Sequence, residues 1–188
     1  MKAAPAAAVI GSEEIVFAGD FNNATGGFSG DSCAFLDLTD TPARALRDAD
    51  GKIQLFSNYP SYTDNTYKTF KGVFRMIGTT FNNLKRDCAN GPVLVPTPSK
   101  DSTKHLAAEW LNAPYIIPGT SNIYALVHDE YDPDFFGTCG RGSCDVYFGV
   151  TSAFSTNNGK TYTHPSNYIV AAPPYPIDDI LPSGFDGT

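Results

Sequence analysis

The chain has 188 residues, with 13 Lys and Arg against 20 Asp and Glu and a net charge of −7. That length suits one domain, and the acidic balance argues against nucleic acid or an anionic membrane surface as partner, since both need a basic face. Hydrophobic content of 41% rules out wholesale disorder, and no run of about 18 apolar residues is present to span a bilayer. The 17 Gly, 14 Pro and 13% aromatic residues, with few long apolar runs, predict an all-β chain.

Met1-Lys2 and the small apolar run Ala3 to Ile10 have the outline of a secretion signal, shortened and broken by Pro5. Residues 1–12 are therefore expected to be a leader remnant or a disordered tail, and residues 13–188 the folded part. Glu14 to Ala18 reads as a strand. Asn23-Ala24-Thr25 is a glycosylation sequon, a triplet common by chance.

From Asp40 onward the chain repeats itself. Asp40 to Ser57 reads as strand, turn at Asp50-Gly51, strand; Asn112 to His128 reads the same way around Gly119 to Asn122. Pro42 matches Pro114 at an offset of 72, and Ile53 matches Ile123. A third strand follows in each unit, Val73 to Thr80 and Val146 to Ala153, at an offset of 73. A fourth closes each, Val93 to Val95 and Tyr168 to Ala171. Helical periodicity is nearly absent; Lys104 to Asn112 is its best candidate.

Four antiparallel strands at a period near 72 describe a blade of a β-propeller, with two halves of a β-sandwich as the alternative. The expected architecture is a propeller fragment: an N-terminal strand, blade one over 34–96, blade two over 105–175, and the start of a third over 176–188. Ser155-Thr156-Asn157-Asn158-Gly159-Lys160-Thr161-Tyr162 resembles the Asp-box of sialidase-like propellers, with Asn157 where that motif has Asp and Tyr162 where it has Trp or Phe. That resemblance implies a structural turn between outer strands. Asn82-Asn83-Leu84 occupies the matching corner of unit one.

The four cysteines are Cys33, Cys88, Cys139 and Cys144. Glycines 137, 140 and 142 let the loop of the last pair close on itself, which permits a Cys139–Cys144 disulfide. A zinc half-site or free thiols are the alternatives there, and Cys33–Cys88 is the other candidate bridge. Bridges place the protein in an oxidising compartment, secreted or periplasmic.

Asp40 before Pro42, Asp50-Gly51-Lys52 leading into Leu55-Phe56, and Trp110-Leu111-Asn112-Ala113-Pro114 together resemble the opening blades of the five-bladed glycoside hydrolases of arabinanase, xylosidase and invertase type. The likeness covers about residues 35 to 175. It implies cleavage of glycosidic bonds in a poly- or oligosaccharide by paired carboxyls. Tyr115 stands where that family has an Asp, and the family's general acid belongs to a third blade. A non-catalytic propeller that binds glycans or a protein is the alternative.

If inner strands line a central channel, polar groups from both units meet at one mouth. Asp40 is the candidate base or nucleophile, with Glu109, or alternatively Glu130, its candidate carboxyl partner. Arg44, Asn58, Tyr59, Trp110, Asn112, His128 and Glu130 are the candidate carbohydrate contacts. Each has a plainer alternative: a turn cap for Asp40, a structural ion pair for Arg44, a structural hydrogen bond for His128, core packing for Trp110, Tyr59 and Tyr131. No cofactor is expected. Calcium at Asp129, Glu130, Asp132 and Asp134 is a lesser possibility, set against a merely solvated loop, since the spacing fits no EF-hand. The oligomeric state is open.

Overall fold

The computed structural model describes residues 41–57, 72–131, 133 and 146–172. Its strands are β1 (Arg44–Arg47), β2 (Ile53–Ser57), β3 (Phe74–Gly78), β4 (Lys85–Arg86), β5 (Ala108–Ile116), β6 (Ile123–Tyr131), β7 (Tyr147–Ser155) and β8 (Ile169–Ala171). They form two four-stranded sheets, β1-β2-β3-β4 and β5-β6-β7-β8, each a meander of antiparallel neighbours. The all-β expectation stands, and Ile53 and Ile123 belong to different sheets.

Turn chemistry closes the first hairpin of each sheet where the sequence placed it. Asp48 Oδ1 accepts from the amides of Asp50 (3.0 Å) and Lys52 (2.9 Å), and Gly51 takes φ 75°. This is the local carboxylate-to-backbone bonding that makes Asp a turn residue. In the second sheet Thr120 Oγ1 donates to the Ile117 carbonyl and accepts from the Asn122 amide, with Gly119 at φ 76°.

The ladders correct the repeat in detail. Leu55 and Ala125 are equivalent, 70 positions apart, but their third-strand partners Met76 and Ala153 are 77 apart. The middle hairpin of the second sheet is seven residues longer, so no single offset of 72 to 73 holds. Pro114 does not open a strand. It pairs with Ala125 inside β5, just past a bulge at Ala113, whose φ is 42°. A proline has no N–H for the ladder, and an edge strand with a bulge tolerates that. Pro42 lies two residues before β1.

The fourth strand of each sheet comes in two pieces. In the first sheet Lys85–Arg86 pairs with β3, and the expected strand Val93 to Val95 is only a bridge from Leu94 to Val73. In the second sheet a bridge from Thr163 to Phe154 precedes β8. The helix candidate Lys104 to Asn112 is instead a short 3₁₀ turn, Ser102–Lys104, followed by β5. Ala108 to Leu111 are all buried, which hides the alternation that would have marked a strand.

The two sheets share one core. Phe56, Val73, Val93 and Leu94 of the first unit cluster with Leu111, Ile123, Ala125, Val127, Ala153 and Tyr162 of the second. Tyr162 ends the Asp-box-like turn: its amide donates to the Val93 carbonyl at 2.7 Å and its ring meets Phe56 edge-on at 6.0 Å. Within the turn, Asn157 Oδ1 accepts from Ser155 Oγ and the Thr161 amide, and Ser155 Oγ accepts from the Gly159 amide.

The tip of that turn plugs into the first sheet. Asn158 bonds Asp50 and the Ala49 amide through its side chain, and its carbonyl accepts from Gln54 and Arg75. Gly159 has φ 77°, and a Cβ there would collide with Gln54 Oε1. Behind it, Gln54 donates to Asp48, and Arg75 reaches both Gln54 and Asp87.

Several expectations lie outside the described residues: the tail, the strand Glu14 to Ala18, the start of a third blade, and Cys33, Cys139 and Cys144. Cys88, the one cysteine among the described residues, is not a free thiol.

Candidate functional site

Side chains alternate across a strand, so the pleat of the second sheet sorts its polar residues into two sets. Trp110 pairs with His128, Asn112 with Leu126, and Glu130 with Phe148, which puts all of these on one face. Glu109 pairs with Asp129, and Asp129 with Gly149, on the other.

The first face is open. Phe148 is 59% exposed, and its ring stacks on His128 at 5.6 Å between centroids with planes 19° apart. Trp110 lies against the same imidazole at 5.4 Å but is buried. His128 Nε2 is 2.9 Å from Glu130 Oε1, with both side chains about a third exposed. A shallow cleft of about 220 Å³ opens beside them, lined by His128, Phe148, Gly149, Val150, Ala171 and Ala172. Tyr115, on β5 at the opposite edge of the sheet from β8, is 58% exposed.

Asn112 sits where the sheets meet, with Thr41 Oγ1 at 3.5 Å from its Oδ1. Arg44 is half-buried in β1 opposite Phe56, on the pleat face that turns toward the second sheet. Asp40, Asn58 and Tyr59 lie outside the described residues.

The second face is sealed. The Glu109 side chain has no exposure, and Asp129 and Thr151 are fully buried. Asp129 Oδ1 accepts from the Ala107 amide at 2.8 Å. Asp129 Oδ2, both Glu109 carboxylate oxygens, Thr151 Oγ1 and His164 Nε2 have no aligned hydrogen-bond partner among the described residues, so the Glu109–His164 contact is one of ion-pair distance. His164 reaches over this face: Nε2 is 2.7 Å from Glu109 Oε1, and Nδ1 is 2.7 Å from the Ser152 carbonyl. His105 fills the space above Gly149.

Burial pushes Asp129 up to about 7; the Ala107 amide opposes this, and the neighbouring Glu109 adds to it. Burial works against the His164 cation, but the Glu109 carboxylate, the Ser152 carbonyl and Asp129 together outweigh it and the net shift is upward. Burial lowers His105.

The structure therefore does not bring Glu109 together with Trp110, Asn112, His128 and Glu130. The acidic loop is divided in the same way, because Asp129 and Glu130 point to opposite faces, while Asp132 and Asp134 lie outside the described residues. Sequence reasoning missed Phe148, His164 and the pairing of Asp129 with Glu109. One signal was present: all three histidines of the chain, at 105, 128 and 164, fall in the second unit. Among the described residues no group of three or more His, Cys, Asp or Glu is arranged to hold a metal ion. No family model and no curated protein matches the chain.

Proposed function

We propose that this protein is a carbohydrate-binding module of propeller type, with its two sheets as consecutive blades and the open face of the second sheet as its ligand surface. The observation that carries this reading is the exposed Phe148 ring, backed by His128 and flanked by Glu130 beside a cleft. A sugar presents an apolar ring face to an aromatic platform and hydroxyl donors to a carboxylate at its rim. His128 holds the Phe148 ring from behind, and its bond to Glu130 keeps a carboxylate oxygen at the cleft edge. The resemblance of the opening blades to arabinanases, xylosidases and invertases supports the same ligand class, and an exported location fits it.

Binding is a better reading than hydrolysis. Cleavage requires two carboxyls flanking the glycosidic oxygen. Among the described residues Glu130 reaches this face through its bond to His128, which lines the cleft, while Glu109 and Asp129 are shut away on the other face.

The test is calorimetric titration with arabino-, xylo- and fructo-oligosaccharides. Phe148→Ala is expected to weaken binding of a responsive oligosaccharide about tenfold, in line with the worth of one aromatic contact. Lys160→Ala, on the far turn, is the control. Equal affinity in Phe148→Ala and the parent protein overturns the assignment of this face.

A further inference from the structure

His164 touches two acceptors at once. Nδ1 faces the Ser152 carbonyl oxygen at 2.7 Å, so that nitrogen carries a hydrogen. Nε2 faces a carboxylate oxygen of Glu109 at 2.7 Å. A bare imidazole nitrogen and a bare carboxylate repel at that distance, so a further proton sits on one of the two. The second carboxylate, Asp129, stands directly across the ladder from Glu109, buried with one oxygen unpartnered. With that proton the cluster has a net charge of −1 when both carboxyls are ionised, and it is neutral once Asp129 is protonated. Without it, two negative charges share a buried site, an arrangement that burial strongly opposes.

What this cluster holds is the segment from Thr163 to Tyr168. Thr163 bridges to Phe154; the Tyr168 carbonyl accepts from the Ser152 amide at 2.7 Å; and the Tyr168 hydroxyl donates to the Lys104 carbonyl at 2.7 Å. The next residues are β8, a three-residue edge strand whose side chains are all exposed. Such a strand has little burial of its own to keep it in place. Its Ala171, with Ala172 beyond it, forms one wall of the cleft that His128 and Phe148 line.

We propose that Glu109, Asp129 and His164 form a buried proton-holding clamp that keeps the Thr163–Tyr168 segment and the β8 wall of the cleft closed in acid and releases them as pH rises. The released proton goes to solvent past His164, whose side chain is 18% exposed. The groups facing the clamp all act in one direction or are neutral. Glu109 on β5 and Asp129 and Glu130 on β6 favour retention of the proton. The Tyr168 ring lies tilted against His164 at 5.1 Å between centroids, and burial with the Glu109, Asp129 and Asp101 carboxylates favours its protonated hydroxyl. His105, which burial keeps toward its neutral form, adds no opposing cation. Asp101 and Lys104, on the covering turn, are of opposite sign and offset each other. His164 and Asp129 are both raised above their unfolded values, so each stabilises the closed form at low pH and loses that effect as pH rises through its folded value.

The experiment is NMR on the full chain with ¹⁵N-labelled histidine. At pH 6.5, where an ordinary His is half titrated, His164 is expected to carry hydrogens on both nitrogens, and its midpoint to lie above that value. Protection of the Ser152 amide, taken relative to its intrinsic exchange rate, is expected to fall at least tenfold between pH 5.5 and 8.5. In Glu109→Gln the His164 midpoint moves below 6.5 and the pH dependence of Ser152 protection shrinks to the part that the buried Asp129 carries. Should Glu109→Gln fail to fold, Asp129→Asn provides the second reading, with a smaller downward move of the His164 midpoint. A singly protonated His164 at pH 5.5, or Ser152 protection that ignores pH, overturns the clamp. Neither readout depends on a bound sugar, so the glycan reading can fail while the clamp stands, and the reverse.

Discussion

Arg75 and Glu109 are both more than nine-tenths buried, at 2% and 3% exposure, yet they live in opposite circumstances. Arg75 uses Nε and Nη2 on Asp87 and Nη1 on Gln54 and the Asn158 carbonyl. Gln54 in turn spends its amide on Asp48 and Asn158, and Asp87 is also bonded by Asn90. Every member of that network has partners of opposite character. Around Glu109 stand another carboxylate and one imidazole. A satisfied buried network fixes geometry; a half-satisfied one stores a dependence on protons. The first joins the two sheets, and the second makes one segment of the second sheet responsive to pH.

The largest effect is expected from breaking the satisfied network. Arg75→Met leaves Asp87, Gln54 and the Asn158 carbonyl without their cation, and loss of one partner of a buried pair costs about 3–5 kcal/mol. Denaturant unfolding measures it. Removing Asp87 as well, as Arg75→Met with Asp87→Leu, should recover a large part of that loss. If the double variant is no better than the single, the network is not acting as a charge pair.

A smaller effect, opposite in sign at high pH, is expected at the unsatisfied cluster. Asp129 is raised to about 7 from 3.8, so the native state is most stable where the carboxyl is protonated in both states and loses stability as pH climbs from about 4 to 7. Asp129→Asn cannot ionise. It should flatten that slope and, at pH 8, be as stable as the parent protein or more so, by on the order of 1–3 kcal/mol. Thermal unfolding from pH 4.5 to 8 checks this. A parent protein whose stability rises over that range contradicts it.

The smallest effect is expected in the Asp-box-like turn. Asn157 Nδ2 donates to Thr161 Oγ1 at 2.9 Å, and a carboxylate would accept from the same hydroxyl instead. Asn157→Asp should therefore change stability by less than about 0.5 kcal/mol, within the usual range for an exposed substitution. A large loss in a melting experiment would show that the Asn amide has a role the hydroxyl cannot take over.

Much of the fold was legible in the residues. Asp50-Gly51 and Gly119 to Asn122 mark hairpins because only certain residues accept those backbone angles. The alternation of Ile123, Ala125 and Val127 with Tyr124, Leu126 and His128 marks a strand with one buried face. Ser155 to Tyr162 marks a turn by its own side-chain chemistry. These are local signals, and they survive without knowledge of partners. Where local signals ran out, the reading slipped: Ala108 to Leu111 lack alternation because both faces are covered, and Pro114 looked like a strand opening because nothing nearby announces a bulge.

The candidate site depended on a different kind of information. Composition and motif could nominate Glu109, Trp110, His128 and Glu130, but which of them share a face is decided by cross-strand register. A shift of one residue exchanges the faces, and register here is set by a bulge at Ala113 and a lengthened hairpin. Likewise no spacing rule links Glu109 to Asp129, 20 positions on, or to His164, 55 positions on. The sequence by itself determined that the chain is acidic, all-β and repeated, because those properties follow from residue types and short-range backbone preferences. Only the tertiary structure decided that one carboxylate pair is sealed in with a histidine while another carboxylate stands at an aromatic cleft, because burial and opposition are properties of strands brought together, not of any stretch along the chain.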